Sequence, residues 1–360
     1  MFIKVYNRTK KEYDCDKINA NILIDLVDFD WLKILRMFTA TPISTPSLMN
    51  SKSEERKLKS YMKRFFDKLL IIEFMVCSSD IEDYFGGNVF IVTGANSSIG
   101  SSIVDYLLKN GDTVISVVKT ARRRGESQCD LGDPQQVLDF CERFKRKYKK
   151  LNGIINLASG LYEKYETTKH LIEKTFATNV LAPYLLFRSL LPLIRSSGGA
   201  RIINVVNPLM LTVKMEPKSF SPKDMYYARD RFLQCERYRL ELWHHLAEEY
   251  PNIRFHCMTP GFVWTYGLKE KFPYFFSKYE NNVFSSRRFR EYETAAMLIL
   301  WCLVTPKIHL IPNGALIFDK AVQREYVLKK HETLAEEHEL FIANFYKTLR
   351  RSVKEEQLSN

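Results

Sequence analysis

The sequence predicts an α/β fold, a doubly wound parallel sheet with helices on both faces. Three observations carry that prediction. From Gly87 onward, short aliphatic and β-branched runs alternate with longer segments of helical period, the pattern of consecutive βαβ units. The first unit turns at "FIVTGANSSIG" (90–100), an apolar strand running into a glycine-bearing corner and a helix start. With 360 residues, 46% of them hydrophobic, the chain can also bury a core on both faces of such a sheet.

The elements follow in order. "NVFIVTG" (88–94) is a strand, and "SSIGSSIVDYLLKNG" (97–111) a helix ended by Gly111. "TVISVV" (113–118) is the second strand and "SQCDL" (127–131) the third. Only 29 residues separate Gly100 from Asp130, which leaves no room for a full crossover helix between strands two and three. "DPQQVLDFCERFKRKYKK" (133–150) is a helix, "LNGIINLAS" (151–159) a strand, and the apolar run 172–197 one long helix. The strand "ARIINVV" (200–206), a helix over 225–249, the strand "NIRFHCMTP" (252–260) and the helix "TAAMLILWCLVT" (294–305) complete the pattern. Crossovers of one hand place ligands at the carboxyl ends of the strands.

The flanks have another texture. No glycine precedes Gly86, and "TATPISTPSLMNSKSEER" (39–56) is polar and proline-bearing, so residues 1–56 read as a poorly ordered extension. The segment 57–85 holds a basic amphipathic helix, "KLKSYMKRFFDKLLIIEFMV" (57–76), which suits either a membrane surface or packing on its own domain. The α/β domain covers 86–327, and 328–360 is a charged helical tail, an appendage.

A formal net charge of +12 makes a phosphorylated cofactor, an acidic membrane or nucleic acid a possible partner. Nucleic acid is set aside, because no binding module or stacking arrangement is recognisable. Seven scattered cysteines without a CxxC pattern point to a reducing compartment, with no disulfide framework and no metal site. The first residues lack the apolar core of a cleaved leader, and no apolar run reaches spanning length. The expectation is a cytoplasmic protein, soluble or peripheral to an intracellular membrane.

At the first corner, Gly94 and Gly100 let backbone approach a pyrophosphate whose charge would sit on N–H groups at a helix start. Gly94, Asn96, Ser97, Ser98, Ile99 and Gly100 are therefore candidate binding residues. Alone, this spacing also fits an ordinary turn. With the other stretches in order, the chain resembles the short-chain dehydrogenases/reductases over roughly 86–325, which implies a Rossmann-type fold. "TGANSSIG" looks like the family's TGxxxGIG, "CDL" puts Asp130 and Leu131 at its adenine contact, and "IINLAS" lies at its NNAG turn, with Asn156 and Ala158. Asn179 matches the asparagine that helps carry a proton relay, and "MYYARDRF" falls on the YxxxK segment. Pro260, Gly261, Val263 and Thr265 lie on the nicotinamide side.

The departures matter as much. Ser98 replaces the middle glycine, and Leu157 and Ser159 replace the second asparagine and the glycine of NNAG. Asn207 stands where the family has its catalytic serine, whose hydroxyl holds the substrate oxygen; an asparagine amide can still donate there. Tyr227 is the acid/base position and Arg231, one helical turn on, replaces the lysine. Arginine keeps the charge but aims its donors differently. The alternative register, Tyr226 with Asp230, puts a negative charge where a positive one is needed.

Lys119 and Arg122, at the end of "VVKTARRRGE", favour the 2′-phosphate of NADP(H) over the bare ribose of NAD(H); the same arginine run also fits a solvated loop. The aromatic residues between Gly267 and Tyr292 could cover a lipophilic substrate, or pack against the N-terminal helix. The resemblance thus implies an NAD(P)-dependent oxidoreductase of a lipophilic carbonyl/alcohol pair, with catalytic Tyr227, Arg231, Asn207 and Asn179. The altered serine and lysine leave a second reading open, a catalytically impaired relative acting as a nucleotide-binding or scaffolding protein. A homodimer is a further expectation.

Overall fold

The computed structural model describes residues 85–218, 226–266 and 290–353, with the backbone of 5–6 and 12–13. The chain forms two compact units, Met1–Phe74 and Met75–Asn360. Within the first, the described backbone is a short antiparallel ladder pairing Val5 with Tyr13 and Tyr6 with Glu12. The helix expected over 57–76 and the aromatic segment after Gly267 lie outside the described residues.

The second unit is built on an eight-stranded sheet. Its strands are β1 Val89–Thr93, β2 Thr113–Val118, β3 Glu126–Gln128 and β4 Gly153–Asn156. They continue with β5 Arg201–Val205, β6 Arg254–Met258, β7 Leu316–Phe318 and β8 Ala321–Val322. The spatial order is β3-β2-β1-β4-β5-β6-β7-β8, parallel throughout except for β8, which pairs antiparallel with β7. Strand order therefore reverses between β1 and β4, where Thr93 pairs with Asn156. A ligand crevice belongs at such a switch point. All five β1 residues are buried, as a strand covered on both faces requires.

Helix α1 (Ser98–Lys109) packs with α6 (Tyr292–Val304) on one face, burying Ile99, Ile103 and Leu107 beside Leu298, Ile299 and Leu303. The other face carries α2 (Pro134–Lys147), α3 (174–189) and α5 (Ala228–Glu249). β2 reaches β3 without a helix, as the short spacing predicts.

Two expectations are corrected. The helix expected over 172–197 is two. Its first part, α3, consists of an α-turn Lys174–Phe176, a π-turn Ala177–Leu181 and the helix Ala182–Ser189. The chain bends at Leu190 before α4 (Leu191–Ser196), because Pro192 in the next first turn cannot donate back to α3.

The charged tail is not an appendage. Its helix α7 (Ala335–Ser352) aligns Phe341, Phe345 and Leu349 on one buried stripe. Phe341 stacks on Tyr238 of α5 at 5.1 Å, and Phe345 meets Tyr184 of α3 edge-on at 5.0 Å. No helix among the described residues is long and apolar enough to cross a membrane.

Candidate active site

The β1–α1 corner is built around two positions that accept no side chain. Gly94 has φ +67°, and a Cβ there would stand 3.0 Å from the backbone of Ala158. A Cβ on Gly100 would come within 2.3 Å of the Gly94 carbonyl oxygen. Neither site tolerates alanine without moving backbone, so α1 and the turn after β4 press directly on the corner.

Ser97 caps α1, its hydroxyl accepting from the Gly100 amide at 3.0 Å. Ser101 donates to the Ser97 carbonyl, which leaves the first-turn amides of Ser98 and Ile99 without an acceptor among the described residues. No acid lies in that turn, so the positive end of the helix is uncompensated. Asn96 and Ser97 are exposed beside it. The Ser98 hydroxyl turns to the opposite wall, accepting from the Tyr266 amide at 3.4 Å. It thereby joins α1 to the segment after β6, where Gly261 takes φ +79° and its amide donates to Thr259. Pro260 and Val263 are buried there and Thr265 half-buried; Val263 bridges to Arg290.

Despite Leu157 and Ser159, the turn after β4 is held at several points. The Ala158 amide donates to Thr93 Oγ1 at 3.1 Å. Asn179, in the π-turn of α3, takes both backbone groups of Gly160: its Nδ2 donates to the carbonyl at 2.7 Å, and its Oδ1 accepts from the amide at 2.8 Å. Its side chain thus shapes the turn. Asn156, at the end of β4, is buried.

On the adenine side, Asp130 accepts from the Gly132 amide and pairs with Lys119 at 3.1 Å; Leu131 is buried beside it. Arg122 is exposed, but its amide and that of Arg123 grip the Glu126 carboxylate at 2.6 and 3.0 Å and hold it below the usual carboxylate range. Of the positive charge expected at the end of β2, Lys119 is paired with Asp130, whereas Arg122 meets Glu126 through its backbone amide.

Tyr227 and Arg231 do not share a pocket, which corrects the expectation from helical spacing. Helix α5 begins at Ala228, so Tyr227 is its N-cap and 50% exposed. Arg231 is buried, its Nε 2.8 Å from Glu173 Oε2, with Phe176 and Tyr238 rings at 5.6 and 5.7 Å. The cause is Glu173, which caps α3 by accepting from the Thr175 and Phe176 amides and, fully buried, draws the guanidinium inward.

Tyr226 is also turned inside. Its hydroxyl donates to the Tyr162 carbonyl at 2.8 Å and lies 3.0 Å from Thr175 Oγ1. Burial pushes this phenol up to about 12. The Tyr227 hydroxyl has no such partner among the described residues.

Asn207 opens the 3₁₀ turn Pro208–Thr212 after β5. Its Oδ1 accepts from the Leu209 amide at 2.9 Å, and its own amide donates to Glu236 Oε2 at 2.7 Å. The side chain is left with its Nδ2 donors. Glu173, Glu236, Glu126 and Thr93 were not singled out in the sequence. Glu173, an acid just before an apolar helix, carries the one legible signal, that of a cap.

A family model described as short chain dehydrogenase matches residues 88–208. Human dehydrogenase/reductase SDR family member 12 is 29% identical over 258 residues, covering 67% of this chain and 79% of that protein. Its Bos taurus counterpart is 30% identical over 260 residues, with 67% and 79% covered. Among solved structures, L-sorbose reductase from Gluconobacter frateurii, complexed with NADPH and L-sorbose, superposes with a TM-score of 0.53. It is 18% identical, covering 69% of this chain and 99% of that one.

Proposed function

The chain belongs to the short-chain dehydrogenase/reductase family, and from that premise we propose that it is a nicotinamide-dinucleotide-dependent oxidoreductase of a lipophilic carbonyl/alcohol pair. The observation that carries this reading is the β1–α1 corner: open amides on Ser98 and Ile99, with Gly94 and Gly100 leaving no side chain in the way. These groups fit a pyrophosphate. Asp130 and Leu131 would take the adenine end, Lys119 and Arg122 a 2′-phosphate, and Ala158 with 260–265 the nicotinamide end. NADP(H) is favoured over NAD(H) by those two cations. When bound, the cofactor supplies the hydride chemistry.

The chain's own part is to hold a substrate oxygen and move a proton. Asn207 donates from Nδ2, because its Oδ1 is already occupied by the Leu209 amide. Tyr227 gives or takes the proton, because the Tyr226 hydroxyl is committed inside the protein. A half-exposed phenol is accessible to an incoming substrate.

The test is oxidation of NADPH with a panel of long-chain and terpenoid aldehydes and ketones. Tyr227→Phe is expected to lower turnover by about 10²–10⁴-fold, while Tyr226→Phe retains it. Equal loss in both, or none in Tyr227→Phe, refutes the assignment. One observation favours the second reading, a nucleotide-binding relative with impaired catalysis: the cation of the YxxxK position is locked on Glu173. Saturable NADPH binding without turnover on the panel would select it. The basic segment 57–76 would bring either form to an anionic membrane surface, which co-sedimentation with liposomes tests. The proposed setting is the cytoplasm, and the proposed assembly a homodimer.

A further inference from the structure

Helix α5 carries a buried ion pair behind the candidate site that touches neither solvent nor any expected ligand. Arg239 and Glu236, one turn apart, are 0% and 1% exposed, with Arg239 Nη1 3.0 Å from Glu236 Oε1. Each has a second bond, and these point to different strands. Arg239 Nη2 donates to the Asn156 carbonyl at 2.8 Å, at the end of β4. Glu236 Oε2 accepts from the Asn207 amide at 2.7 Å, just past the end of β5. The chain of contacts therefore runs Asn156–Arg239–Glu236–Asn207, from the end of β4 to the turn after the neighbouring β5.

We propose that Glu236 and Arg239 are positioning residues, a strut that fixes the spacing between the turn after β4 and Asn207. The inference rests on the proposed reading of Asn207 as a substrate-facing donor. An isolated charge buried this deeply is strongly unfavourable, so the pair must stay closed. Closed, its two outer bonds clamp backbone, and the backbone fixes where Ala158 and the Asn207 amide point. Arginine suits the task because its rigid fork reaches a carboxylate and a carbonyl at once; a single ammonium cannot keep both geometries. The same helix carries a second buried pair, Arg237 with Glu241, that faces the tail: Glu241 accepts from Thr333 Oγ1 at 2.5 Å and pairs with His338 at 2.9 Å. That pair is the internal control, alike in chemistry and burial but directed away from the strand ends.

The experiment compares Glu236→Gln, Arg239→Lys and Glu241→Gln in the full chain by amide hydrogen exchange and by NADPH fluorescence titration. A glutamine at 236 keeps its volume, but it can accept from Asn207 only by turning its NH₂ onto the guanidinium. Both site-side variants are expected to speed exchange at Asn207 by at least about ten-fold. They should also weaken NADPH binding about ten-fold, as slight misplacement of a site does. Glu241→Gln should change neither while lowering thermal stability comparably. Unchanged exchange at Asn207, unchanged NADPH affinity in both site-side variants, or an equal effect of Glu241→Gln overturns the proposal. No NADPH binding by the unmodified protein refutes the cofactor reading instead, and exchange at Asn207 then decides the strut alone.

Discussion

Removing the charge of Glu173 tests whether Arg231 is a catalytic cation or a sealed structural one. The two side chains are 0% and 2% exposed and 2.8 Å apart, so neither charge is hydrated. At an effective dielectric of about 20, charges about 4 Å apart attract by about 4 kcal/mol. Breaking a buried pair by removing one partner typically costs about 3–5 kcal/mol. Thr175 donates to Oε1 and Phe176 to Oε2, so Glu173→Gln keeps an oxygen for only one of the two amides, and its expected cost is at least that of the lost charge, about 3–5 kcal/mol. Glu173→Ala also removes the cap of α3 and should cost about 1 kcal/mol more. Glu173→Leu with Arg231→Met, which removes both charges, should recover most of the loss, because well-packed apolar residues often replace such pairs without penalty. The assay is urea unfolding at neutral pH, read as midpoints at constant m-value. If Glu173→Gln costs under about 1 kcal/mol, or the double variant is no better than the single one, the charge of Arg231 is balanced elsewhere and the argument fails.

Gly100→Ala brings a Cβ to 2.3 Å from the Gly94 oxygen and 2.9 Å from Ala95 Cα, both backbone atoms. Moving α1 to relieve this should cost about 1–3 kcal/mol, seen as a lower melting temperature; an unchanged one contradicts it. Phe345 is fully buried against Tyr184 and Phe176, so Phe345→Ala should destabilise the unit by about 3–5 kcal/mol in urea if the tail belongs to the core. Burial pushes His256 down to about 4. Below the unfolded value near 6.5 the unfolded chain takes up a proton that the native protein refuses, so stability falls as pH drops from about 6.5 towards 4, by up to about 3 kcal/mol. His256→Leu should flatten that limb of the stability–pH curve, and an unaltered slope would refute the assignment.

The sheet was legible because strands covered on both faces read as continuous apolar runs, and β1, β4 and β5 do. The missing crossover helix between β2 and β3 was legible from chain length alone. The tail was misread because its charged composition hides the Phe341–Phe345–Leu349 stripe, which is meaningful only once α3 and α5 supply partners. At the site, the glycine corner could be inferred because a steric rule acts between residues six apart. The fate of Arg231 could not. Spacing puts it one turn from Tyr227, but its direction is set by Glu173, 58 residues away in sequence. Helix α5 likewise carries charge on every side, so no periodicity marks Glu236 and Arg239 as buried.

Whether the β1–α1 corner receives a dinucleotide is measured directly by fluorescence titration of the purified chain and its Gly94→Ala variant with NADPH and NADH. Gly94 has φ +67°, and an alanine methyl there would meet Ala158 backbone at 3.0 Å, so the variant spoils the corner itself. Saturable enhancement with the unmodified protein, tighter for NADPH and lost in the variant, is the predicted result. No change with either nucleotide, or equal binding by the variant, would contradict it.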